Sequence, residues 1–205
     1  MRVILGTIGM EAESTSGVAE QEHEYVLYAK IADFSMLRNA SGKERHEQWE
    51  IRLNKNAMKG RIRVRKTIDA QGTHYVQTIK LKNDQVVEGS APNQDTSIPV
   101  ECTQASFEAI RSLADSGMVK DRYFFPIPGT GLIWEVDVFP DAAGNYNHWV
   151  KIDLEVPVGQ KFTTFPTLPT GFSEIISNPR DKQTPEEAAK IVELYDKVFT
   201  QKTRP

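Results

Sequence analysis

Apolar and polar residues alternate along much of the chain, and the first clear run is Glu22 to Ile31, EHEYVLYAKI. Glu22, Glu24, Val26, Tyr28 and Lys30 share one face of an extended strand, and Tyr25, Leu27, Ala29 and Ile31 share the other. The same period of two recurs in GRIRVRKT, THYVQTIKLK, SIPVEC, MVKDRYFFP, GLIWEVDVF and HWVKIDLEV, each of which is predicted to be a strand. DAQG, with Gly72, turns the first two of these into a hairpin. Between Phe34 and Asn54 the pattern is less decided. Asn39 to Arg45 has the composition of a loop, and His46 to Leu53 fits a helix or a strand.

Two segments carry helical spacing. In TQASFEAIRSLADSG, Phe107, Ile110 and Leu113–Ala114 fall on one side, with Thr103 as the N-cap and Gly117 as the stop. In Thr184 to Phe199, Pro185 takes the first helical position, and Ala188, Ile191, Val192, Tyr195 and Val198–Phe199 form the apolar stripe. Residues 10–20 are small, polar and acidic, so 1–20 reads as a flexible lead-in. Residues 21–205 read as a single domain that includes the C-terminal helix, with no internal repeat and no long linker.

Composition narrows the function classes. At 205 residues and 39% hydrophobic, the chain supports one domain with a sizeable core. A net charge of −3 supplies no overall basic field for nucleic acid. The single cysteine, Cys102, rules out an internal disulfide and a cysteine-built metal site, and reads as a small buried apolar residue. Residues 1–9 lack the long apolar run of a secretory signal, and no apolar run is long enough to span a bilayer, so a cytoplasmic protein is expected. There is no P-loop, no GxSxG and no paired-histidine metal motif. His23 points away from the acidic pair that flanks it, and His46, His74 and His148 read as surface or strand-end residues. Trp134 and Trp149 read as outer packing.

Charge is sorted strand by strand. Arg61, Arg63 and Arg65 share one strand face, as do Thr78, Lys80 and Lys82, and then Lys120 and Arg122. Glu22 with Glu24, Glu135 with Asp137, and Asp153 with Glu155 are carboxylate pairs at the same spacing. Like charges two residues apart on a strand repel. Two readings fit: a solvated outer face, or a site that holds a polyanion and divalent metal ions. For the second, arginine and lysine neutralise phosphate oxygens, while carboxylates hold Mg²⁺ or Mn²⁺. Closing the sheet would bring all these faces around one lumen and remove the exposed edges.

RIRVR, TIKLK, KDRYFFP, WEVDVF and KIDLEV, in that order, resemble the CYTH superfamily, the triphosphate tunnel metalloenzymes. The likeness is greatest to the small bacterial inorganic triphosphatase branch. It covers roughly Glu22 to Arg180 and takes in LPTGFSEIISNPR, which is similar to the family's LPxGxE segment. The resemblance implies an α+β fold: a closed antiparallel eight-stranded β-barrel, or tunnel, with flanking helices and its charged residues inside. It implies metal ligation by Glu22, Glu24, Asp153 and Glu155, with Glu101 where the family has a further acidic residue. It implies triphosphate contacts from Arg63, Arg65, Lys80, Lys120 and Arg122, to which Arg61 and Lys82 add charge on the same faces. Glu22, Glu24, Asp137 and Glu155 make up the expected catalytic set, with Mg²⁺ or Mn²⁺ as cofactor.

The activity so implied is metal-dependent hydrolysis of inorganic tripolyphosphate or a nucleoside triphosphate. The alternatives are a class IV-type adenylate cyclase forming cyclic AMP, and a non-catalytic protein that binds a triphosphate, a nucleotide or an RNA 5′ end. The expected partner is a small-molecule triphosphate. No membrane is expected, nor any nucleic acid other than an RNA 5′-triphosphate end, and a homodimer stays open. Three departures from the family pattern stand out. Val26 occupies the lysine position of ExExK, and Lys30, on the same face, is about 13 Å further along the strand. Asp153 stands where the family usually has Glu, and a Lys/Arg/His-rich segment precedes RIRVR.

Overall fold

The alternating segments pair into one antiparallel sheet. The computed structural model describes residues 22–55, 58–81, 96–157, 166–178 and 184–200; the expected lead-in at 1–20, and Lys82, lie outside them. The strands are β1 (Glu22–Ile31), β2 (Gly42–Lys55), β3 (Met58–Ile68), β4 (Thr73–Leu81), β5 (Thr96–Glu101), β6 (Ser116–Pro126), β7 (Ile133–Pro140), β8 (Tyr146–Pro157) and β9 (Phe172–Asn178). They lie side by side in the order β5-β4-β3-β2-β6-β7-β8-β1-β9. The hairpin of β3 and β4 forms as its sequence requires. The Asp69 carboxylate accepts from the N–H groups of Gln71 and Gly72 at 2.8 and 3.0 Å, and Gly72 takes the positive φ of 138°.

The sheet is open, which corrects the expected closed eight-stranded barrel. Among the described residues, edge strand β5 pairs with β4 alone and edge strand β9 with β1 alone. Closure needs the two end strands to run side by side over matched lengths. Here the edges have only six and seven residues. Pro99 within β5 has no N–H for a further strand, the usual mark of an edge. β9 meets β1 across a register shift between Tyr28 and Lys30.

Strand β2 resolves the segment that the local pattern left undecided. Only Trp49, Ile51 and Leu53 carry an apolar alternation there, yet β2 has β3 on one side, from Arg45 opposite Ile68 to Lys55 opposite Met58. On its other side lies β6, from Gly42 opposite Phe124 to Glu50 opposite Ser116. Two ladders settle a strand that propensity alone does not.

The apolar face of the sheet is the main core. Leu27, Ala29 and Ile31 of β1 pack with Trp134, Val136 and Val138 of β7 and with Val150, Ile152, Leu154 and Val156 of β8. A 3₁₀ turn over Phe34–Asn39 contributes Met36 and Leu37 as cover. Helix α1 (Gln104–Ser112) covers the other end of this face, with Phe107 against Trp49 and Val64. Thr103 caps it as expected, accepting from the Ser106 N–H at 3.1 Å.

The helix ends at Leu113, well before Gly117. Gly117 instead lies in β6 beneath the Trp49 indole, where a Cβ would come within 2.2 Å of a ring carbon. The glycine is there for close approach, and Gly117→Ala is expected to destabilise the fold by about 1–3 kcal/mol through overpacking. A urea midpoint equal to that of the native chain would overturn this.

Helix α2 (Pro185–Leu194) opens with a capping box between Thr184 and Glu187, and a wider turn, Tyr195–Phe199, follows. It covers one end of the opposite, polar face. Leu194 and Phe199 pack there against Tyr28, Phe139 and Ile176, with Trp149 beside them. Of the expected stripe, Ile191, Val198 and Phe199 pack there while Val192 is 63% exposed, and Leu194 joins the buried side. Among the described residues no helix is long and apolar enough to cross a membrane.

Candidate functional site

Strand register places the charged residues in rows on the polar face. One row runs Glu44, Arg122, Asp137, Lys151, Tyr28, each opposite the next. The neighbouring row holds Glu135, Asp153 and Val26, and Glu24 lies opposite Glu155. On the other wing Gln48 is opposite Arg65, Glu50 opposite Arg63, and Arg61 opposite both Arg52 and Lys80. His46, on central strand β2, is opposite Lys120 on one side and Thr67 on the other. The face is therefore bipolar. Its basic wing is β3 and β4, its acidic wing is β7, β8 and β1, and Lys120 and Arg122 stand between them.

The centre of this face is buried, which sets it apart from a solvated one, while Glu155 at its end is exposed. Lys120 is 5% exposed, Asp137 0%, Asp153 2% and His46 2%. Buried charges persist only when paired, and the acidic wing is densely paired. Lys120 donates to Asp137. The Arg122 guanidinium donates to both oxygens of Asp137 at 2.7 and 2.9 Å, to Glu135, and to Asp153 at 3.2 Å. The Lys151 ammonium holds Asp153 at 2.5 and 2.6 Å.

Burial alone would raise the Asp137 carboxyl, but Lys120 and Arg122 outweigh it and hold the group well below the usual carboxylate range. The Arg122 guanidinium is raised despite its own desolvation by the three carboxylates around it. Lys120 is pushed down to about 8 by burial, aided by repulsion from Arg122 and Lys151, in spite of Asp137. Glu135 is pushed up to about 7 by burial and by the charges of Glu155, Asp137 and Asp153, against the pull of Arg122.

The basic wing is the opposite case. Arg61 approaches Glu50 at 3.7 Å and Arg65 donates to Gln48 at 3.3 Å. The Nε atoms of Arg63 and Arg65 are buried and have no hydrogen-bond partner among the described residues. Burial and mutual repulsion lower the Arg63 guanidinium to about 10, and burial together with Arg122 lowers that of Arg65. Buried donors left open on adjacent cations mark a place short of negative charge.

The face brings together Arg61, Arg63, Arg65, Lys80, Lys120, Arg122, Asp137, Asp153 and Glu155. The backbones of Glu22 and Glu24 lie on its rim, at the end of β1; their side chains are outside the described residues. Glu101 stands apart from the other expected acidic residues, exposed on edge strand β5 opposite Val76. Val26 packs with the cluster under α2, so an apolar neighbourhood occupies the position where the family motif has lysine.

The members of the face that the sequence reading missed are Lys151 and the β2 residues Glu44, His46, Gln48, Glu50 and Arg52, whose strand carries charges on both faces that hid its period of two. His46, expected at the surface, is buried. Lys151 was legible as the first residue of KIDLEV, in phase with Asp153 and Glu155.

The carboxylates are hard oxygen donors of the kind Mg²⁺ and Mn²⁺ take, and strand register sets the Glu24 backbone opposite Glu155, two residues from Asp153. Among the described residues no three such side chains converge as ligands.

No family model matches the chain, and no curated protein matches it. Among solved structures it is similar to the PH1819 protein from Pyrococcus horikoshii OT3, at 16% identity and a TM-score of 0.42 over 89% of this chain and 95% of that one. A likeness of that depth carries nothing about activity.

Proposed function

We propose that the bipolar face binds a linear triphosphate with a divalent cation and hydrolyses its terminal phosphoanhydride. The observation that carries this reading is the pair of buried, unpartnered Nε donors on Arg63 and Arg65, set across the sheet from a cluster of carboxylates. The motif order resembling the CYTH superfamily points the same way.

In this reading Arg63, Arg65 and Lys80 bind the phosphate oxygens, with Arg61 at their flank. Lys120 and Arg122 face the transferred group, and Asp137 is the residue that positions them. Asp137 is saturated by those two cations and so takes no proton itself. Glu22, Glu24, Asp153 and Glu155 would hold the cation. When bound, it supplies charge neutralisation and a more acidic water. Glu135, on the same face opposite Asp153, is the carboxylate that would take the proton. Water oxygen forms a bond to the terminal phosphorus as the bridging P–O bond breaks. Orthophosphate and diphosphate leave, and the water's proton passes to Glu135. Most of the rate then comes from positioning and charge stabilisation.

A second reading, a triphosphate binder without turnover, is favoured by one observation: Asp137 and Asp153 are already engaged by cations of the chain itself. Phosphate release with Mg²⁺ and Mn²⁺ across tripolyphosphate, ATP, GTP and thiamine triphosphate separates the two, and cyclic AMP formation from ATP is read alongside. Release on at least one substrate is expected, along with its abolition by Glu24→Gln or Glu155→Gln in a folded protein. Full activity in excess chelator would overturn the metal-dependent mechanism.

A further inference from the structure

His46 occupies the middle of the polar face, and neither the proposed chemistry nor the motif order uses it. Its ring is 2% exposed. Nε2 lies 2.8 Å from a Glu44 carboxylate oxygen, and the neutral ring satisfies that contact as an N–H donor. Nδ1 is then a lone pair, buried and without a partner among the described residues. The groups around the ring are Glu44 on its own strand, Arg65 from β3, Lys120 and Arg122 from β6, and Asp137 from β7. Burial, and then the three cations, keep the imidazole neutral and its titration down at about 3. Burial is the larger part of that opposition, and the positive potential of Arg65, Lys120 and Arg122 is the part a polyanion would cancel.

We propose that His46 is part of the anion site, entering the bound state as imidazolium and taking up one proton at Nδ1 when a polyphosphate settles on Arg63 and Arg65. This rests on the polyanion reading of the face and adds a residue and a proton to it. The balance is simple: no covalent bond changes, and the proton comes from solvent or buffer. Because the ring's affinity for a proton is higher in the bound state than in the free one, binding is favoured at low pH. It weakens as the pH rises through the bound-state value, by up to about tenfold per unit.

The test is calorimetric titration with tripolyphosphate in metal-free medium, where no turnover occurs, between pH 5.5 and 8 in buffers of different ionisation enthalpy. The expected result is net proton uptake by the native chain, above that of His46→Gln, approaching one proton at the acid end. Glutamine keeps a donor for Glu44, and the far-ultraviolet circular dichroism of the variant checks its fold. Nitrogen-15 spectra of the native protein provide a readout that needs no variant: the His46 ring resonances are expected to move from the neutral tautomer to imidazolium on adding tripolyphosphate. Binding with equal proton uptake in both proteins, or with the ring still neutral, overturns the role of His46 and leaves the polyanion site standing. Absence of binding at every pH overturns both.

Discussion

Asp137→Ala is expected to destabilise the protein by about 3–5 kcal/mol, the largest effect of any single polar substitution on this face. Asp137 is fully buried and is the common acceptor for Lys120 and Arg122. Removing it leaves the Lys120 ammonium buried without its counter-charge, and truncating one partner of a buried ion pair costs on that scale. Chemical denaturation at pH 7 measures the loss. Replacing Lys120 by Met and Asp137 by Leu together should recover much of it, since the buried charge leaves along with its partner and Arg122 keeps Glu135 and Asp153. The pH dependence follows from the depressed carboxyl. An unfolded aspartate titrates near 4, so the contribution is complete above about pH 4 and is lost as the pH falls toward the folded value. A stability unchanged in Asp137→Ala would mean that the paired charges contribute nothing to the fold.

Arg65→Met is expected to act in two directions at once. In the ligand-free protein it should raise stability by about 1 kcal/mol, because it removes a buried cation that repels Arg122 and has an open Nε. It gives up the contact to Gln48 at 3.3 Å and the attraction of Asp137, Glu135 and Glu44, which the relief of desolvation and of the Arg122 repulsion outweighs. In binding it should cost roughly 1.5–3 kcal/mol, about 10- to 150-fold in the affinity for tripolyphosphate, as expected for one lost charge-assisted contact. Thermal melts with and without tripolyphosphate read both effects. A residue kept for the fold would behave in the opposite way: its loss would lower the melting temperature and leave affinity untouched. A site selected for binding commonly carries such a local cost in stability.

The strands were legible where one face is apolar and unbroken. IWEV, KIDLEV and EYVLYAKI announce their period because Val, Ile, Leu and Trp alternate with charge, and the register then places those charges together. β2 was not legible, because Arg45 and Glu47 lie on the apolar side of the sheet and blunt the alternation. His46 could not be read as buried for the same reason. Gly117 looked like a helix stop because a glycine after an apolar helical run usually is one. Only the Trp49 indole above it shows its other purpose. The stripe of α2 and its following turn was legible at Ile191, Val198 and Phe199 and missed Leu194, since its partners, Tyr28 and Phe139, come from distant strands.

By itself, then, the sequence determined the period of most strands, the caps of both helices at Thr103 and Thr184, and which charges share a strand face. These are local properties, set by backbone geometry and nearest neighbours within a few residues. The tertiary structure alone decided three things: that the sheet stays open at Pro99-bearing β5 and at β9, that β2 lies at the centre of the polar face, and which charges are paired and which are left unpartnered. Those depend on strand order and on contacts between residues far apart in the chain. A carboxylate held by two cations from a neighbouring strand and an arginine with an open Nε look alike in a sequence, and differ only in what the fold sets against them.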